Sequence, residues 1–179
     1  MQGLTQDRTQ NKLILLFIFD KMEMPLSENT IIDLCTNKNN WIAYMNCKLA
    51  LEELVSSNFV CVLTGDGAVA PELLYNITSE GRVCLAHFFV RIPGSTREMI
   101  SNYVKASRMS FRRKQEYVST YEKRQDGTYD VYLKIVDETQ PTMEIKINVA
   151  SRNIAKYIDK TWESKAPQAY TTLYDLLLE

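Results

Sequence analysis

The stretch NWIAYMNCKLALEELVSSNFVCVLTGDGAVAPELLYNITSEGR, residues 40–82, decides the fold. Trp41 to Ser57 reads as a helix, because Tyr44, Cys47, Leu51, Leu54 and Asn58 recur at three- and four-residue spacing along one face. Asn58 ends it. Phe59 to Leu63 and Leu73 to Ile77 are short β-prone runs. Between them Thr64 to Pro71, with the turn signal Gly65-Asp66-Gly67, makes a long-looped hairpin. Thr78, Ser79 and Glu80 then offer a hydroxyl cap and a first-turn acid to a new helix. The expected order is helix, hairpin, helix.

Toward the N-terminus, Asn11 to Met22 predicts a helix apolar nearly all round, which demands burial on several sides. Met1 to Gln10 is polar and aperiodic, a frayed lead-in. Pro25 breaks the chain, Ser27 can cap the next helix, and Ile31, Ile32, Leu34 and Cys35 form its buried face. Lys38, Asn39 and Asn40 make the turn into the central helix. Past the hairpin, Val83, Leu85, Ala86, Phe88, Phe89 and Val90 continue a helix until Pro93-Gly94, a candidate domain junction. Ser95 to Glu98 reads as a capping box opening a second long helix, which ends in the basic run Arg108 to Lys114.

The period then changes from helical to alternating. Tyr117 to Arg124, Tyr129 to Val136 and Thr142 to Val149 read as three antiparallel strands, turned at Asp126-Gly127 and at Asp137 to Pro141. Tyr129, Val131, Leu133 and Ile135 share a dry face with Met143, Ile145, Ile147 and Val149, while Asp130, Lys134, Glu144 and Lys146 face water. A helix from Ser151, with Ile154, Ile158 and Trp162, covers the dry face. Pro167 opens a last helix whose stripe of Tyr170, Leu173, Tyr174 and Leu177 implies a docked chain end.

The run from Leu51 through Asn58-Phe59-Val60, the hairpin, and Tyr75 to Arg82 together resemble the recognition helix, wing and post-wing helix of bacterial winged-helix regulators of the PadR and MarR kind. The likeness covers roughly residues 11 to 92. Asn58 stands where those families usually have Gly, and the hairpin lacks the basic tip that many members carry. Over its whole length the chain resembles an uncharacterised bacterial winged-helix family with no assigned function. The fold so implied is α+β: a winged helix-turn-helix over residues 11–92, then a module over residues 93–179 of one helix, three strands and two helices.

Charge and composition constrain function further. Residues 1–92 hold seven Lys and Arg against ten Asp and Glu, and residues 93–179 fourteen against twelve, so the half that resembles a DNA reader is the acidic one. The longest apolar run, Leu13 to Phe19, is too short for a bilayer and lacks the features of a signal peptide, so a cytoplasmic chain is expected. Cys35, Cys47, Cys61 and Cys84 match no zinc spacing and read as reduced core residues. His87, the single histidine, sits in an apolar helix and reads as a packed or half-exposed residue. No catalytic motif, cofactor signature or metal site is expected, nor an enzyme.

The resemblance implies double-stranded DNA as partner and a homodimer as the acting species. If Leu51 marks the buried centre of the central helix, Ile42, Met45, Asn46, Leu49 and Glu53 face outward. Asn46 suits a base edge, and Lys38, Asn39, Asn40 and Lys48 suit an adenine contact and phosphates. Gly65 and Gly67 at the wing, and Arg82 after it, complete the expected DNA surface. Arg108, Arg112, Arg113 and Lys114 are a candidate phosphate clamp. An apolar outward patch of Ile42, Met45 and Leu49 equally suits a protein partner, the alternative reading. A small-molecule pocket lined by Tyr129, Tyr157 and Trp162 is the weaker third idea, because such aromatics are more often plain core.

Overall fold

The computed structural model describes residues 2–66, 71–137 and 140–178. It is an α+β protein with two three-stranded antiparallel sheets. The chain divides into two compact units, Met1–Thr64 with Leu73–Arg108, and Gly65–Glu72 with Met109–Glu179.

In the first unit α1 (Gln2–Met22) occupies the centre. Its seven residues Leu13 to Phe19 are all buried, as is Met22. No amphipathic helix can do that with a single covered side. Helix α3 (Tyr44–Ser56) and α4 (Ser79–Phe88) both pack on it, and the Phe17 ring meets Phe89 edge-on at 5.7 Å. The lead-in expected to fray is helical from Gln2. After α1 comes β1 (Leu26–Ser27), two residues that composition does not betray, paired with Tyr75 and Leu74. Ser27 then caps α2 (Glu28–Ile32), its Oγ accepting from the Thr30 N–H at 3.3 Å. The chain runs on through a π-helical turn, Asp33–Lys38, burying Leu34 and Cys35.

Helix α3 starts later than Trp41, because the Trp41 and Ile42 N–H groups both donate to the Cys35 carbonyl and Ala43 is extended. Ile42 is therefore buried rather than outward-facing. At its far end Asn58 adopts φ 61°; its N–H donates to the Val55 carbonyl and the Phe59 N–H to that of Leu54. That is a Schellman stop, and Asn tolerates the left-handed conformation it needs. Strands β2 (Val60–Asp66) and β3 (Pro71–Ile77) follow, in a sheet of order β1–β3–β2. Gly65 and Asp66 thus belong to a strand, not to the expected turn. Gly67 lies outside the described residues.

Thr78 caps α4 by accepting from the Gly81 N–H at 3.0 Å, and its hydroxyl donates to the Asn58 carbonyl at 2.8 Å. A short 3-10 turn, Phe89–Arg91, leads into α5 (Gly94–Glu116). This helix starts one residue before Ser95, so Ser95 lies in the first turn instead of capping it.

In the second unit β4 (Tyr117–Lys123), β5 (Tyr129–Asp137) and β6 (Gln140–Val149) form a meander. Gly127, at φ 86°, turns the first hairpin, and Asp126 accepts from the Thr128 N–H across it. The register sets Val131 opposite Ile147 and Leu133 opposite Ile145, the dry face read from the alternation. Helix α6 (Arg152–Leu178) covers that face, burying Ala155, Trp162 and Ala166 against Val131 and Leu133. The Trp162 indole N–H donates to the Lys134 carbonyl at 3.1 Å.

Here the expected pair of helices is one, continuous through Pro167. The apolar stripe beyond Pro167, expected to be docked, is open. Asp130, expected on the wet face, is buried by its partners: Lys146 and Asn148 each reach it at 2.8 Å.

Three outcomes follow for stability. Trp162→Ala removes the largest side chain under the sheet and should cost about 3–5 kcal/mol in urea unfolding. Gly81→Ala would place a Cβ 2.2 Å from the Phe59 carbonyl oxygen. The overpacking cost of about 1–3 kcal/mol should exceed the ~1 kcal/mol that alanine adds at an open helix position, so the change destabilises. The hydrogen bonds from Lys146 and Asn148 hold the Asp130 carboxyl below its usual range. With the folded value depressed, its contribution is complete above the unfolded value of about 4 and is lost as pH falls below it. Asp130→Asn should therefore flatten the urea midpoint against pH in that acid window and leave its slope at neutral pH unchanged.

Candidate nucleic-acid interface

The open side of α3 carries Tyr44, Met45, Asn46 and Leu49, with Met45 63% and Leu49 41% exposed. Their outward direction follows from the other face, where Cys47, Ala50, Leu51 and Leu54 are buried. A shallow cleft beside Asn46 and Leu49 is rimmed by Arg8, Asn11 and Glu53. Glu53 receives Lys12 at 3.0 Å and Arg8 at 2.8 Å, and the Lys12 hydrogen bond is the main cause of its depressed carboxyl pKa.

The cations expected to meet phosphate are mostly held by carboxylates. Lys48 bonds Glu28 at 2.7 Å and lies 6.0 Å from the Tyr44 ring centroid; Lys38 bonds Asp33 at 2.8 Å. In both lysines the carboxylate hydrogen bond raises the ammonium pKa. Arg82 bonds Asp20 at 2.6 Å, Arg108 bonds Glu23 at 2.6 Å and Arg112 bonds Glu116 at 2.7 Å. Among the described residues Arg113 and Lys114 are exposed with no ion-pair partner. Of the asparagines, Asn39 spends its amide on the Leu34 carbonyl at 2.8 Å, while Asn40, at φ 51°, is exposed at the turn. Gly65 is buried in β2.

So the structure brings Asn46 and Lys48 onto one helix with Asn40 just before it. It withdraws Ile42, Asn39 and Gly65 into the fold. What sequence reading missed is the carboxylate set of Asp20, Glu23, Glu28, Asp33 and Glu116. Only Arg112 with Glu116 has the i,i+4 spacing that pairs side chains on a helix; Asp33 and Lys38, five apart, meet across the π-helical turn.

Elsewhere the expected chemistry is sparse. Among the described residues no group of His, Cys, Asp and Glu could hold a metal, and no helix is long and apolar enough to cross a membrane. His87 lies on the exposed side of α4. Cys35 and Cys47 are buried free thiols, and the hydrogen bond between them, with burial, pushes the Cys35 thiol up. Tyr129, Tyr157 and Trp162 do not line a common cavity: Trp162 is core and Tyr157 is exposed. The second unit's open cleft, about 710 Å³, lies on the other side of the sheet against Thr120, Glu122, Tyr132, Lys134, Glu144 and Lys146.

No curated protein and no solved structure matches the chain. Residues 11–177, from the buried part of α1 to the last turn of α6, match the family described as a domain of unknown function (DUF4364), and the chain belongs to that family.

Proposed function

We propose that the first unit is a winged helix-turn-helix and that the protein is a DNA-binding transcriptional regulator acting as a dimer. The observation that carries this reading is the arrangement of a short β1 paired to β3, with α2, the π-helical turn and α3 preceding the β2–β3 hairpin and α3 presenting an open side. In it α3 enters the major groove. Asn46 reads an adenine edge, Asn40 sits at the turn, and Lys48 exchanges Glu28 for a phosphate. Exposed pairs of this kind are worth only ~0–1 kcal/mol, so the exchange is cheap. Arg113 and Lys114 supply further phosphate contacts.

A second reading, a protein-interaction module, draws on the exposure of Met45 and Leu49 beside cations already neutralised by carboxylates.

Fluorescence anisotropy with random and upstream-genomic duplexes at two salt concentrations separates them. A regulator should bind with an affinity that falls steeply with salt, and Asn46→Ala with Lys48→Ala should weaken binding at least about tenfold. Replacing Arg113 and Lys114 by Ala should lower the salt slope by about one unit for each phosphate that these side chains neutralise. Absence of binding at low salt would reject the regulator reading in favour of a protein partner for Met45 and Leu49.

A further inference from the structure

The final turns of α6 carry Tyr170, Leu173, Tyr174, Leu176, Leu177 and Leu178, all exposed, with Leu177 at 81%. Up to Ala169 the helix packs against its sheet; past that point the apolar stripe opens, from Tyr170 at 40% and Leu173 at 36% to Tyr174 at 53% and Leu177 at 81%. We infer that this stripe is the contact surface for a second copy of the chain, joined to the same stripe about a two-fold axis.

Charge narrows the occupant. Asp175 is the only charged residue from Ala166 to Leu178, so the segment offers nothing to a polyanion and lacks the Lys and Arg by which surface-bound helices meet anionic membranes. The stripe is also self-complementary. Tyr170, Leu173, Tyr174 and Leu177 alternate aromatic and aliphatic, so an antiparallel two-fold between Leu173 and Tyr174 sets each tyrosine against a leucine of the other copy. Tyr170 and Tyr174 are already stacked at 5.9 Å, one rigid platform rather than two loose rings.

Area supports the same occupant. Tyr170, Leu173, Tyr174, Leu177 and Leu178 leave on the order of 500 Å² open per copy, so their full burial in both copies would just reach the ~1,000 Å² at which specific interfaces begin. The pairing rests on the regulator reading only for its purpose, since such regulators use paired half-sites.

Sedimentation equilibrium on the full chain over about 1–100 µM tests it without DNA. The wild type should be a dimer. Leu177→Glu alone, and Leu173→Glu with Leu177→Glu, should raise the dimer dissociation constant at least about 100-fold with an unchanged circular dichroism spectrum. The equally exposed Val90→Glu should leave the dimer intact. A wild type that stays monomeric, a dimer that survives both leucine variants, or dissociation by Val90→Glu would each overturn the interface. A monomeric wild type would still leave the DNA titration to decide between a regulator and a protein-interaction module.

Discussion

The close approach of Asn58, Phe59, Thr78 and Gly81 is the constraint on which the first unit depends. The Asn58 carbonyl takes the Thr78 hydroxyl, the Phe59 carbonyl takes the Thr78 N–H at 3.0 Å, and the same hydroxyl oxygen caps α4 through Gly81. The end of one helix and the start of the next are thereby tied at a single point. The described residues between them are the paired strands β2 and β3. Gly81 is required because the Phe59 carbonyl occupies the space a side chain would take. With both helices also packed on the buried stretch of α1, the rotation of α3 is fixed, and so is the set of side chains it leaves open.

The cations read as phosphate contacts obey a different logic. Lys38, Lys48, Arg82, Arg108 and Arg112 each meet a carboxylate at 2.6–2.8 Å, yet all of these pairs are substantially solvated. Pairs of this kind contribute little stability, and their main effect is to cancel the field that would draw a polyanion from a distance. A DNA complex built on this surface would gain its phosphate contacts late, by partner exchange at short range. Its association would be less steered than that of a regulator with a free basic face, and its affinity would depend more on base and shape contacts.

Much of the fold was legible because the relevant signals are local. Alternation along β5 and β6, the Asp126-Gly127 turn, the Thr78 cap and the left-handed Asn58 all depend on residues within a few positions. The elements that escaped depend on partners far along the chain. Two residues, Leu26 and Ser27, become a strand only because Leu74 and Tyr75 lie beside them. Pro167 reads as a helix start, but the turns before it are anchored on the sheet by Trp162 and Ala166, and that packing outweighs the one missing N–H. The helix α3 and the exposure of Asn46 on it follow from its period, while the counter-ions of the expected cations did not show in the sequence: Arg82 and Arg108 find acids 62 and 85 residues away.

Two of the apolar surfaces exposed among the described residues differ in their surroundings. Met45 and Leu49 lie among Lys48, Asn46, Arg8 and Glu53, an apolar spot within a hydratable rim that can be wetted again at modest cost. The end of α6 has no such rim, only Asp175 along its last turns. Surfaces of the first kind suit contacts that form and release; those of the second resemble half of a core and suit a permanent one. The two surfaces would therefore serve different purposes under the proposed reading, a lasting contact between copies and a reversible one to a target.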